Sequence, residues 1–256
     1  MRYAKWLIVS CVLVVIAFTI LCARAVFSVA SINVDYSYFD TAEVEKANDL
    51  LDHYYGASLI FIREDKVIDL INENTGLKVE SVTKKFPNVL EIKLKERQEC
   101  FCIKSESGYL ILDDEYTVVD IRDNPKNSVD GLDNIILNFG NSEFDASLLH
   151  LRSTLDIGRE DLLKSVTDMI AQINSPRDFI KEITVEEKEK GINYYVNFKT
   201  FEGVVIEVRK ALDNPTEKIT LAQNKYLSLF DRDKLTGKIA VYTMDNGQTV
   251  ATYTNQ

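Results

Sequence analysis

Four prolines and ten glycines are few for 256 residues, so the chain holds no long flexible linker of the usual kind. Histidine is scarcer still. His53 and His150 stand far apart in the sequence, and neither has the neighbouring ligands or bases that catalysis or zinc binding needs. No G-x-S-x-G, P-loop, H-E-x-x-H or glycine-rich dinucleotide signature occurs, which removes the common hydrolase, nucleotide-binding and zinc-protease chemistries. The four cysteines form no disulfide framework. Cys11 and Cys22 fall inside an apolar run, and Cys100-x-Cys102 places two thiols on one strand face, an awkward geometry for a bridge. Two thiols alone make no structural zinc site. The sequence therefore offers no catalytic residue, no cofactor site and no metal site.

Charge is also unevenly supplied. Arg2, Lys5 and Arg24 are the only charged side chains up to position 24, while the remainder carries 27 basic against 40 acidic residues. A surface that acidic repels phosphate backbones, so nucleic acid is not an expected partner. The hydrophobic fraction of 46% is ample for a folded core.

The one long apolar run, residues 6–23, opens at Trp6 and carries no charge over eighteen positions. At about 1.5 Å per residue a helix of that length spans roughly the hydrocarbon core of a bilayer. Arg2 and Lys5 precede it and acids dominate beyond it, so the positive-inside rule puts the N-terminus in the cytoplasm and the rest outside. Ala23-Arg24-Ala25 also fits a signal-peptidase site. The run exceeds a usual signal-peptide core, which favours an uncleaved anchor, and both readings leave the remainder outside the cytoplasm.

Beyond the run the apolar spacing is mixed. A short strand is expected over 29–34, then a helix after the capping-box pattern Asp40-Thr41-Ala42-Glu43, with Val44, Ala47, Leu50, Leu51 and Tyr54 on one face. Gly56 closes that helix, and Val67, Ile68 and Ile71 mark a second. Residues 77–82 and 89–94 alternate with period two around the turn Lys85-Phe86-Pro87-Asn88. The order β-α-α-β-β is that of a POTRA module.

After Arg97 strands are expected in quick succession at 100–104, 109–112 and 117–121, with irregular connections at Asp130-Gly131-Leu132 and Phe139-Gly140. A helix carries Leu162, Leu163, Val166, Met169, Ile170 and Ile173 on one face. Residues 183–185, 192–198 and 204–208 read as strands. Asn214-Pro215-Thr216-Glu217 reads as a cap, a first-turn proline and an acid opening a helix to about Phe230. Two final strands flank the hairpin signal Asp245-Asn246-Gly247. The acidic groups Asp113-Asp114-Glu115 and Asp231-Arg232-Asp233 lack the spacing of a calcium loop and read as solvated turns.

Several of these residues together resemble the FtsQ/DivIB family of bacterial cell-division proteins. Pro87, Leu90, Glu96 and Arg97 match the ending of that family's POTRA module, and Asp113 closes a strand similar to the one that follows it. The glycine usual after that aspartate is replaced around Glu115-Tyr116. The resemblance implies an α+β chain with an N-terminal transmembrane helix (1–24), a POTRA module (25–97) and a β-rich domain with two packed helices (98–256). It implies a non-enzymatic scaffold at the division septum. Its partners would be FtsL-type and FtsB/DivIC-type coiled-coil proteins and, through them, the septal peptidoglycan synthesis machinery, with no small-molecule substrate. An anchored module that binds an extracytoplasmic ligand or the cell wall is the alternative. The expected partner surface is an open sheet edge along Lys238, Ile239, Ala240, Val241, Tyr242, Thr243 and Met244, or along the hairpin this strand makes with the segment reaching Tyr253. The family resemblance implies strand addition there. These residues could equally be the last core strand.

Overall fold

The computed structural model describes residues 2–36, 41–106, 108–140, 145–189 and 191–255; the side chains of residues 2–5, 7–10, 20, 23 and 41 lie outside that description. The chain divides into two compact units, Met1–Arg97 and Gln98–Gln256.

The first unit opens with a helix, α1 (Arg2–Val26). Its described apolar side chains, among them Val12, Leu13, Val14, Val15, Ile16, Phe18 and Leu21, are exposed. Among the described residues no helix is long and apolar enough to cross a membrane. The expected span at 6–23 is only partly inside that set, since six of its side chains lie outside it. Strand β1 (Ser31–Asp35) follows, then helices α2 (Thr41–Leu51) and α3 (Glu64–Asn74) and the antiparallel pair β2 (Leu77–Lys85) and β3 (Val89–Glu96). Asp40, half of the expected capping box, lies outside the described residues. The sheet order is β1-β3-β2, with β1 parallel to β3 from Ser31 opposite Val89 to Asp35 opposite Lys93. A parallel neighbour needs a crossover connection, and α2 and α3 supply it. Period-two burial at Leu90, Ile92 and Leu94 meets helical-period burial at Val44, Ala47, Leu51, Val67 and Ile71, forming one small core.

The second unit is built on one open nine-stranded sheet of order β12-β11-β10-β9-β8-β7-β4-β5-β6. Its elements run β4 (Phe101–Ser105), β5 (Gly108–Leu112), β6 (Val118–Arg122), β7 (Ile135–Phe139), α4 (Glu160–Ile170), α5 (Pro176–Phe179), β8 (Ile180–Glu189), β9 (Asn193–Thr200), β10 (Val205–Val208), α6 (Pro215–Leu227), α7 (Asp231–Lys234), β11 (Lys238–Thr243) and β12 (Thr249–Thr254). Two parallel pairs, β7 with β8 and β10 with β11, are bridged by α4 and α6 respectively. Both helices contribute to the core that covers one face of the sheet, with Val166 and Met169 of α4 and Ile219 and Ala222 of α6 meeting Val196, Phe198, Ile206, Ile239 and Val241.

Three sequence expectations change. The stretch between the irregular connections at Asp130-Gly131-Leu132 and Phe139-Gly140, to which the spacing assigns no element, holds β7, a central strand between parallel neighbours β4 and β8 that runs into Phe139. A strand flanked by parallel partners reads as a short apolar run (Ile135-Ile136-Leu137) rather than as alternation. Asn214 opens α6 through its backbone, not its side chain: it sits at φ 49°, ψ 53° and makes no side-chain cap. Asparagine tolerates that left-handed conformation, and its carbonyl accepts from Lys218 N at 3.2 Å. Asp113, read as solvated, is fully buried, and its Oδ1 accepts from the amides of Glu115 (3.0 Å) and Thr117 (2.8 Å). The turn it organises puts Tyr116 at φ 61°, a left-handed backbone within the Glu115-Tyr116 stretch where the resembling family usually carries a glycine. The ring makes the exchange tolerable. It is buried, stacks on Phe101 with centroids 5.1 Å apart, and its hydroxyl donates to the Leu163 carbonyl of α4 at 3.0 Å.

Lys218 fixes the other helix. Its side chain is fully buried and its ammonium donates to the carbonyls of Arg209 (3.0 Å) and Lys210 (2.9 Å), just beyond β10. Burial pushes its pKa down.

Candidate partner surface

The C-terminal hairpin is shaped by its turn. Gly247 adopts φ 82° and donates to Met244 O at 2.9 Å, while Met244 N donates to Gln248 O at 2.9 Å. A three-residue loop with glycine in the left-handed region is a favoured hairpin closure. Of the two expected edges, the strand from Lys238 is corrected by what lies beside it, whereas the outer strand of the expected hairpin does stand at the edge of the sheet. Lys238, Ile239, Ala240, Val241, Tyr242 and Thr243 form β11, and β11 pairs on one side with β10 and on the other with β12. It is an inner strand because the last segment of the chain folds back outside it. Met244 lies just past its end and closes the hairpin. The edge belongs to β12.

The phase of that edge follows from the closing pair. Hydrogen-bonded and non-bonded pairs alternate along an antiparallel ladder. With Met244 and Gln248 bonded, the pairs Tyr242–Val250, Ala240–Thr252 and Lys238–Thr254 are bonded too. Thr249, Ala251 and Tyr253 therefore turn their amides and carbonyls outward. The opposite phase in β11 agrees: Gly237 O and Val241 O accept from Val205 N (3.1 Å) and Arg209 N (3.0 Å) on the β10 side. At the far end of the sheet, β6 is partly covered, since Val118 exchanges hydrogen bonds with Arg152 N (2.8 Å) and Ser153 O (2.9 Å). No described residue pairs with the outer side of β12.

The two faces beside this edge differ. Ala251 and Tyr253 lean on the core side, and the Tyr253 hydroxyl donates to Asp233 O at 2.9 Å. On the opposite face a ladder of cations and rings runs across the strands. Lys188 lies over Tyr195 at 5.6 Å, and the Arg209 guanidinium over Tyr195 at 5.7 Å and over Tyr242 at 5.4 Å. Glu207 anchors it through Lys238 and through Arg209 at 2.8 Å. Burial alone would push the Glu207 carboxyl up, but those two hydrogen bonds outweigh it and hold its pKa below the usual carboxylate value. The neighbourhood can meet an added strand with backbone groups and flank it with aromatic and charged side chains.

The remaining motif residues serve structure. Pro87 lies in the β2–β3 turn and Leu90 is a fully buried core residue of β3. Glu96 ends β3 opposite Leu77. The guanidinium of Arg97 donates to the Asn72 carbonyl at 3.3 Å, satisfying a carbonyl of the last turn of α3. His53 Nδ1 meets Leu50 O at 2.7 Å, and His150 belongs to the other unit. The Cys102 thiol is buried, which pushes its pKa up to about 12. Among the described residues no group of three or more histidine, cysteine or acidic side chains could hold a metal. The sequence alone missed the outward phase of β12 and the ring ladder. The hairpin signal could have flagged the first, but the second needs strands brought together from distant positions.

Comparison with known proteins adds two findings. Residues 27–97 match the family model described as POTRA domain, FtsQ-type. A stretch of 95 residues is 27% identical to the cell division protein DivIB of Clostridium acetobutylicum, covering 36% of this chain. The match spans 38% of that relative's length.

Proposed function

We propose, from the FtsQ-type POTRA match of its first unit and its partial likeness to a DivIB protein, that the chain is a member of the FtsQ/DivIB family and serves as a non-enzymatic, membrane-anchored scaffold of the division septum. In this reading α1 is a single-pass anchor with its N-terminus in the cytoplasm, and the chain beyond Arg24 lies outside. The support is the charge-free run from Trp6 and the exposure of the described apolar side chains of α1. The partners are coiled-coil division proteins of the FtsL and FtsB/DivIC type, which connect it to septal peptidoglycan synthesis.

The observation that carries the reading is the outer side of β12, with Thr249, Ala251 and Tyr253 offering amides and carbonyls to an added strand. An edge strand accepts proline where its N–H points outward, whereas an inward N–H belongs to the ladder. Ala251→Pro should therefore leave the fold intact and lower capture of the FtsB/DivIC-type protein by at least about tenfold, as expected when an intermolecular bond is lost and a ring clashes with the incoming strand. Thr252→Pro, which breaks a bond to β11, should instead lower stability. Wild-type capture by a folded Ala251→Pro protein would put the binding surface elsewhere. In cells, depletion should block septation, and the protein should gather at mid-cell.

A further inference from the structure

The first unit carries a second exposed feature, at the point where α1 ends. Leu59 N donates to Phe27 O (2.7 Å), Val29 N to Ala57 O (2.8 Å) and Gly56 N to Val29 O (3.0 Å). These bonds tie the 55–61 loop directly to the residues that follow α1. The β2–β3 turn is tied to the same place, since Ala30 N donates to Asn88 O at 2.9 Å and Phe27 meets Phe86 edge-on at 5.8 Å. Both loops therefore lie within a few residues of Arg24, the first charge after the apolar run.

What they display is unusual for so acidic a chain. Phe61 is 80% exposed and Phe86 60%, with Tyr55 and Ile60 about half exposed beside them. A groove of about 660 Å³ opens next to Phe61, and its charged or titratable lining is Arg24, His53, Tyr54, Arg63 and Lys66, with no acid among the described lining residues. Asp65 pairs with Arg63 and Asp69 with Lys66 outside the groove. Both pairs are more than half solvent-exposed on the basic side, so they are weak and exchangeable.

We propose that this groove and the aromatic tips beside it dock on the membrane surface and take the phosphate of anionic phospholipid headgroups. Aromatic side chains favour the interfacial layer, and cations close to an anionic leaflet are each worth roughly a fivefold population shift. Docking would fix the tilt of the first unit at the membrane, which a lone helix leaves free. The inference rests on the anchor reading of α1.

One assay separates the two. Trp6 is the only tryptophan in the chain, so the full-length protein in vesicles of bromine-labelled lipid reports on α1. The variant Phe61→Trp in a Trp6→Phe background reports on the loop. Trp6 should be quenched in vesicles of phosphatidylcholine with or without phosphatidylglycerol; absence of quenching overturns the anchor itself. The loop indole of the Phe61→Trp variant should be quenched more strongly when phosphatidylglycerol is present, and adding Arg63→Gln and Lys66→Gln should return it to the phosphatidylcholine level. A quenched Trp6 with the loop indole unquenched, or quenched equally in both lipids, overturns the docking while leaving the anchor standing. Relief of the quenching by excess inorganic phosphate would show a free-phosphate site and overturn the headgroup assignment.

Discussion

Tyr116→Gly sets two effects against each other at one position. The backbone there is left-handed, φ 61°, and a non-glycine residue in that region costs about 1–2 kcal/mol. Glycine relieves that cost. It also removes a buried ring stacked on Phe101, together with a hydroxyl that meets Leu163 O at 3.0 Å and Thr167 Oγ1 at 2.8 Å. Truncating a buried aromatic typically costs about 3–5 kcal/mol. The ring should win, leaving a net loss of about 2–3 kcal/mol, which lowers the melting temperature of a domain this size by roughly 5–10 °C. Tyr116→Phe isolates the hydroxyl. Because the Thr167 hydroxyl still donates to Leu163 O at 3.2 Å, that change should cost only about 1 kcal/mol. Thermal melts by far-UV circular dichroism suit both variants, since Trp6 lies in α1 and cannot report on this core. A Tyr116→Gly protein as stable as wild type would mean that relief of backbone strain offsets the whole contribution of the ring, and a more stable one that strain dominates the turn.

Other consequences follow for the two units. Glu99 is nearly buried and is held by Arg122 Nη1 (3.1 Å) and by the amide and hydroxyl of Ser128 (3.0 and 2.7 Å). Burial raises its pKa, but these bonds outweigh burial and leave it below the ordinary carboxylate value. Its contribution is therefore complete above the unfolded value of about 4.3 and is lost as pH falls through the lower folded value. Acid titration of stability should show a shallower fall below that pH for Glu99→Gln than for wild type; parallel curves would refute the assignment. A fragment of residues 28–97 should unfold cooperatively and alone, though so small a core leaves it marginal; an unfolded fragment by circular dichroism would mean that this unit depends on the rest of the chain.

The elements of the first unit are legible in the sequence because its contacts are local in pattern. Leu90, Ile92 and Leu94 alternate, and Val44, Ala47 and Leu51 recur at helical spacing, so strand, helix and core face can be read before folding. The turn at Asp245-Asn246-Gly247 likewise announces a hairpin. The neighbours of each strand are not legible in this way. β7 joins β4 to β8 across long stretches of chain, and β11 gains its second partner only because α6 carries the chain from β10 to a parallel neighbour. That crossover turns the expected edge at Lys238, Ile239, Ala240, Val241, Tyr242 and Thr243 into an inner strand and hands the edge to β12. Asp113 shows the same limit at one residue. Its composition suits a solvated turn, yet amides from Glu115 and Thr117 satisfy its carboxylate inside the fold. Periodicity records which face a residue buries, whereas pairing order and polar satisfaction depend on groups that only the tertiary structure brings together.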